Sequence, residues 1–126
     1  MLDIHPEPED ARVEVLDGGG LTFVGPYSRP AIYQHIHGAR DALAGQVVAG
    51  LFARERSVGF EVLYHFATVE DWLVYRVERG TTTEVDPALA DRARQMLART
   101  SGELVVREQM RATRYRRQHP TRPNAR

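Results

Sequence analysis

The chain has no cysteine and no lysine among its 126 residues, and it has a single tryptophan and a single asparagine. Without cysteine there is no disulfide, no thiolate metal site and no cysteine nucleophile. No apolar run approaches the roughly 20 residues that a bilayer-spanning helix needs, and the N-terminus lacks a basic-then-apolar leader. A soluble cytoplasmic protein without a membrane partner is therefore expected. Several motifs are also missing: GxGxxG, GKS/T, GxSxG and HExxH. Asp17-Gly18-Gly19-Gly20 is thus not a phosphate loop, and no Ser/His/Asp spacing suggests a triad. Neither a cofactor nor a metal ion is expected.

What is present balances. Seventeen basic residues, all arginine, meet 17 acids, with 42% hydrophobic and 27% charged residues. One domain with a single core is the expectation at this length. The charge is unevenly placed: Asp3, Glu7, Glu9 and Asp10 crowd the start, and Arg111, Arg114, Arg116, Arg117, Arg122 and Arg126 crowd the end.

Residues 1–11, with two prolines and four acids, read as a flexible acidic arm. Arg12–Leu16 and Leu21–Gly25 alternate around the Asp17–Gly20 turn signal and suggest a hairpin. Ile32, Ile36, Ala39 and Leu43 form one stripe of an amphipathic helix, with Ser28 as cap, Pro30 in the first turn and Gly45 at its end. Residues 47–56 fit a helical period as well as a buried strand; the glycines at 45 and 50 favour strand.

Gly59–Ala67 alternates, with Phe60, Val62, Tyr64 and Phe66 on one side and Glu61, Leu63 and His65 on the other. Thr68-Val69-Glu70-Asp71 reads as a capping box opening a helix that carries Trp72, Leu73 and Tyr75. Asp86-Pro87 starts another helix, with Leu89, Ala93, Met96 and Leu97 as its stripe. A last strand from Glu103 to about Tyr115 places Leu104, Val106, Met110 and Ala112 on one face. Residues 116–126 read as a disordered Arg/Pro-rich tail.

This order predicts one α+β domain over residues 12–115. Its class is a ferredoxin-like βαββαβ antiparallel sheet, with helices on one face and an extra N-terminal strand. From Leu21 to Tyr115, with "YHFATVEDWLVY" as a strand running into an aromatic-bearing helix, the pattern resembles the dimeric α+β barrel superfamily. That superfamily includes antibiotic-biosynthesis-type monooxygenases and haem-degrading enzymes. The resemblance implies a homodimer with a pocket between sheet and helices, and monooxygenase- or isomerase-like chemistry. Haem degradation is not implied. Its histidine–tryptophan–asparagine set has no counterpart here, where Trp72 stands alone and Asn124 lies in the tail.

His65 is the candidate catalytic residue, because imidazole titrates near neutrality and the strand places it opposite the aromatic face. The alternative is a histidine satisfied at a sheet end or interface. Glu61 lies roughly 13 Å along the same strand, so the two form no dyad. Glu108 interrupts the apolar Leu104–Ala112 series and must pair, bind a ligand or reach an edge; pairing with an arginine is expected. Tyr27 and His35 are candidates for the rim of a ligand site. His35 and His37 lie about 200° apart on a helix and cannot share an ion. The competing functions are a non-enzymatic dimerisation or regulatory module, and nucleic-acid association through the basic tail, which the neutral charge of the whole domain disfavours.

Overall fold

The computed structural model describes residues 1–81 and 83–118, and all their side chains except those at positions 31 and 32. Five strands and three helices follow in the order β1 (Leu2–Pro6), β2 (Ala11–Asp17), β3 (Gly20–Tyr27), α1 (Pro30–Val48), β4 (Phe52–Phe66), α2 (Val69–Glu78), α3 (Pro87–Ala98) and β5 (Glu103–Arg117). β5 organises the sheet. On one edge it pairs with β4 along almost its whole length, from Phe52↔Arg117 to Phe66↔Leu104. On the other edge β2 takes its first part (Leu16↔Glu103 to Arg12↔Arg107) and β1 the later part (Pro6↔Met110 to Leu2↔Arg114). β3 completes the sheet by pairing with β2. Every pairing is antiparallel, and β1, β3 and β4 each pair with a single strand, so free edges remain. The sheet is open, which overturns the expectation of a barrel and of a pocket enclosed by one.

The acidic first segment, expected as a flexible arm, supplies β1. Leu2 and Ile4 alternate with Asp3 and His5, and the partner strand has length to spare. β2 covers only the first five residues of the 15-residue β5. Without β1, the rest of that edge would expose unpaired backbone groups. Glu7 keeps the ladder going by one bond, its N–H donating to the Gln109 carbonyl at 2.7 Å.

Residues 47–56 do not form a separate strand. Val47 and Val48 are the last residues of α1, and Val47 continues the helical stripe four places beyond Leu43. The helix stops at Gly50 rather than Gly45. Gly50 has φ +76°, its N–H bonds the Val47 carbonyl, and the Leu51 N–H bonds the Gln46 carbonyl. This Schellman closure is one that glycine adopts without a steric penalty. The Ser57–Val58–Gly59 sequence does not break the chain into two strands either. β4 passes through it, with one register shift at Arg54/Arg56.

The predicted caps of the later helices form. The Thr68 hydroxyl accepts from the Asp71 N–H at 3.1 Å, and the Asp86 carboxylate accepts from the Ala88 N–H at 3.0 Å. α2 and α3 pack on one face of the sheet. There Val69, Trp72, Leu89, Ala90 and Ala93 bury against Ala11, Val13, Val15, Leu104 and Val106. Gly25 lets α3 approach closely: a Cβ there would lie 2.7 Å from Leu89 Cδ1. α1 is held near β1 by polar contacts, Arg40 donating to His5 at 3.2 Å and to Glu7 at 2.6 Å. The tail expected at 116–126 falls largely outside the described residues; β5 continues to Arg117.

Candidate functional site

The buried stripe of α2 is Val69, Trp72 and Arg76, spaced by three and then four residues. Its third position, where the helix would ordinarily present an apolar side chain to the core, holds a guanidinium. Arg76 is only 9% exposed. Its Nε donates to the hydroxyl of Tyr27 at 2.8 Å, across from the end of β3. Its Cζ lies 5.2 Å from the Tyr27 ring centre and 5.9 Å from that of Trp72. Tyr27 and Trp72 meet edge to face, 5.3 Å apart at 86°.

These groups line a cavity of about 350 Å³ between α2 and the sheet. Tyr27, Tyr64, Phe66, Trp72 and Tyr75 form its aromatic wall, with Val106 and Met110 on β5. Tyr75 lies 5.9 Å from Tyr64 and 5.4 Å from Phe66, ring centre to ring centre. Alternation along β4 brings Tyr64 and Phe66 here, as the sequence pattern predicts.

Charge enters the cavity from three directions. Glu108, on the apolar side of β5, meets Arg29 at 2.5 Å, both side chains 11% exposed. This is the arginine partner that the sequence pattern calls for. Arg76 closes another side, and Arg79 stacks over Tyr75 at 5.0 Å. The Arg29–Glu108 approach brings opposite charges together without hydrogen-bond geometry, so both facing atoms lack a directional partner. Burial, followed by the negative charge of Glu108, raises the Tyr64 hydroxyl pKa above its ordinary value of 10.0. Among the described residues, four buried side-chain atoms have no hydrogen-bond partner: Arg29 Nε, Arg29 Nη2, Arg76 Nη2 and Glu108 Oε1. All four belong to this cavity. Arg29 Nη2 and Glu108 Oε1 face each other in the ion pair, which leaves Arg29 Nε and Arg76 Nη2 without an acceptor.

The other face of the sheet contrasts with it. Arg107 donates to Glu14 at 2.8 Å and to Glu61 at 2.6 Å, and Gln109 donates to Glu61 at 2.9 Å. The bonds from Gln109 and then Arg107 hold the Glu61 carboxyl below its ordinary pKa. Further along, Glu7 accepts from Arg40 and Arg111, Arg111 also reaches Ser57 at 2.9 Å, and His5 meets Asp3 at 2.7 Å. A groove of about 550 Å³ lies beside this second cluster, under α1. Of the charges on its lining, Asp3, His5, Arg40 and Arg111 are paired, whereas Asp41 and Arg54 have no ion pair among the described residues.

The candidates read from the sequence are therefore divided. Tyr27 and Glu108 share the aromatic cavity. Glu61 and His65 lie on the opposite side of β4, and His65 pairs at 2.8 Å with Glu103, both groups more than 40% exposed. His35 is exposed on α1. Arg29 and Arg76 were not singled out by the sequence reading. Arg76 has a signal, a charge in the third place of an apolar stripe; Arg29, in the loop before Pro30, has none. Among the described residues, no three histidine, aspartate or glutamate side chains converge as a metal site, and no helix is long and apolar enough to cross a membrane.

No protein-family model matches this chain, and neither a curated protein nor a solved structure does. Together with the open sheet, this removes the resemblance to the dimeric α+β barrel superfamily and the monooxygenase- or isomerase-like chemistry drawn from it.

Proposed function

We propose that this α+β domain binds a small organic molecule in the aromatic cavity between α2 and the sheet, with Tyr27 and Glu108 among its contacts. One observation carries the reading: five aromatic rings line about 350 Å³ of space beside the buried core. Small-molecule sites have this character, about 300–1,000 Å³ with apolar walls and a few fixed polar groups.

The test is titration with N-phenyl-1-naphthylamine, an uncharged aromatic probe whose emission rises in apolar surroundings. Saturable binding with one site per chain is expected, lost in Met110→Trp, which fills the cavity, and unchanged in His65→Ala. Unsaturable binding, or binding indifferent to Met110→Trp, would refute the site. The same experiment separates this proposal from a role for His65, which stands outside the cavity.

A further inference from the structure

We infer that the ligand of this cavity is an aromatic monocarboxylate, its carboxylate held by Arg76 and its ring by the tyrosine and tryptophan walls. This rests on the cavity being a ligand site and adds the charge and shape of what fills it. Two guanidinium groups converge on one ring: Arg76 Cζ lies 5.2 Å and Arg29 Cζ 5.7 Å from the centre of Tyr27. Arg29 Nη2 already faces Glu108 Oε1 at 2.5 Å, which leaves Arg29 Nε and Arg76 Nη2 as the buried guanidinium nitrogens with no acceptor among the described residues. A buried guanidinium with free N–H groups is a donor without an acceptor, and its planar fork matches a carboxylate.

One buried cation of the cavity is left without a carboxylate among the described residues, so one buried negative charge answers it. Glu108 already faces Arg29, so Arg76 is the buried cation left without a carboxylate. Arg79 adds a cation at the rim, over Tyr75. A phosphate dianion fits poorly. Arg76 sits in the last turn of α2, so the helix presents its carbonyl-bearing, partially negative end towards the cavity. The cavity volume suits one or two rings rather than a long chain.

The experiment compares 2-naphthoate with its neutral isostere 2-naphthamide on the full chain. Calorimetry is run alongside emission from Trp72, the chain's single tryptophan, which lines the cavity. The naphthoate is expected to bind at least about tenfold more tightly than the amide, a typical gain for a charge-assisted pair. Arg76→Met is expected to abolish that preference, read as the ratio of the two affinities within the variant. Equal affinities, or a preference that survives Arg76→Met, would overturn the inference while leaving the cavity as a neutral-ligand site. Failure of both compounds with N-phenyl-1-naphthylamine still bound would also overturn it. Failure of all three would overturn the site reading as well. The comparison of the two compounds on the unmodified protein decides the matter even if the variant does not fold.

Discussion

Arg76 and Tyr27 form a pair whose energetics should reveal whether the cavity is built for binding or for stability. The Arg76 Nε–Tyr27 hydroxyl bond is buried at 2.8 Å, and Arg76 Nη2 has no partner. Tyr27→Phe strands Nε as well as Nη2, which should cost about 1.5–3 kcal/mol, because hydrogen bonds to charged groups lie in that range. Arg76→Met strands the Tyr27 hydroxyl, 5% exposed as a residue, at a cost of about 1–3 kcal/mol. The double variant removes both polar partners and puts a flexible apolar chain in the arginine's place. It forfeits cation–π attraction worth about 0.5–2 kcal/mol. It also relieves the burial of a charge, and such replacements are often neutral or stabilising by about 1–4 kcal/mol. The double variant should therefore fall within about 1 kcal/mol of the unmodified protein, with a coupling of at least about 2 kcal/mol. Urea unfolding followed by far-ultraviolet circular dichroism measures this without relying on Trp72, whose ring lies 5.9 Å from the substituted guanidinium. If the double variant loses the sum of the single losses, Arg76 is a structural element and the argument from its unpartnered nitrogen fails.

Two further outcomes test the fold and its electrostatics. A Cβ at Gly102 would lie 2.1 Å from the Leu16 carbonyl oxygen, so Gly102→Ala should cost more than about 2 kcal/mol, whereas Gly38→Ala, in open space within α1, should gain about 0.5–1 kcal/mol; thermal unfolding of both variants checks the contrast. Burial raises the Glu7 carboxyl pKa, but bonds from Arg111 and Arg40 outweigh it and leave the carboxyl below its ordinary value of 4.5. The Glu7 contribution is therefore complete above that pH and lost as pH falls through the lower folded value: Glu7→Gln should cost about 1–2 kcal/mol at pH 7 and progressively less in acid, and a penalty independent of pH would refute the pairing.

The sequence pattern carried the later half of the fold further than the earlier half. Alternation in β4 and β5, the Thr68 and Asp86 caps and the apolar stripe of α3 are local signals, and the structure uses each of them. Residues 47–48 and β1 depend on what is distant. Val47 and Val48 suit either period, and the choice fell to Gly50, whose positive φ closes the helix. β1 exists because β5 is longer than β2, a comparison that no window of sequence contains. The site divides in the same way. Glu108 announced itself as a carboxylate among apolar neighbours. Its partner Arg29 lies 79 places earlier, in a loop with no periodicity to break. His65 drew attention through its chemistry, but the alternation that puts Tyr64 and Phe66 into the cavity directs His65 to the other face.

That alternation also explains why one chain can carry two such different surfaces. On the face bearing Glu14, Glu61, Arg107 and Arg111, acids and arginines answer one another across adjacent strands. On the other face the same strands present apolar and aromatic side chains, and among the described residues Glu108 and the arginines at 29 and 76 bring buried charge. A guanidinium in an apolar wall is costly unless something repays it. The first face shows that this chain readily supplies carboxylates where it needs them to stabilise arginines. Arg76 has a tyrosine hydroxyl instead, a neutral acceptor that orients the side chain without neutralising it. A charge that is oriented, buried and left unneutralised is the arrangement expected of a receptor for an anion.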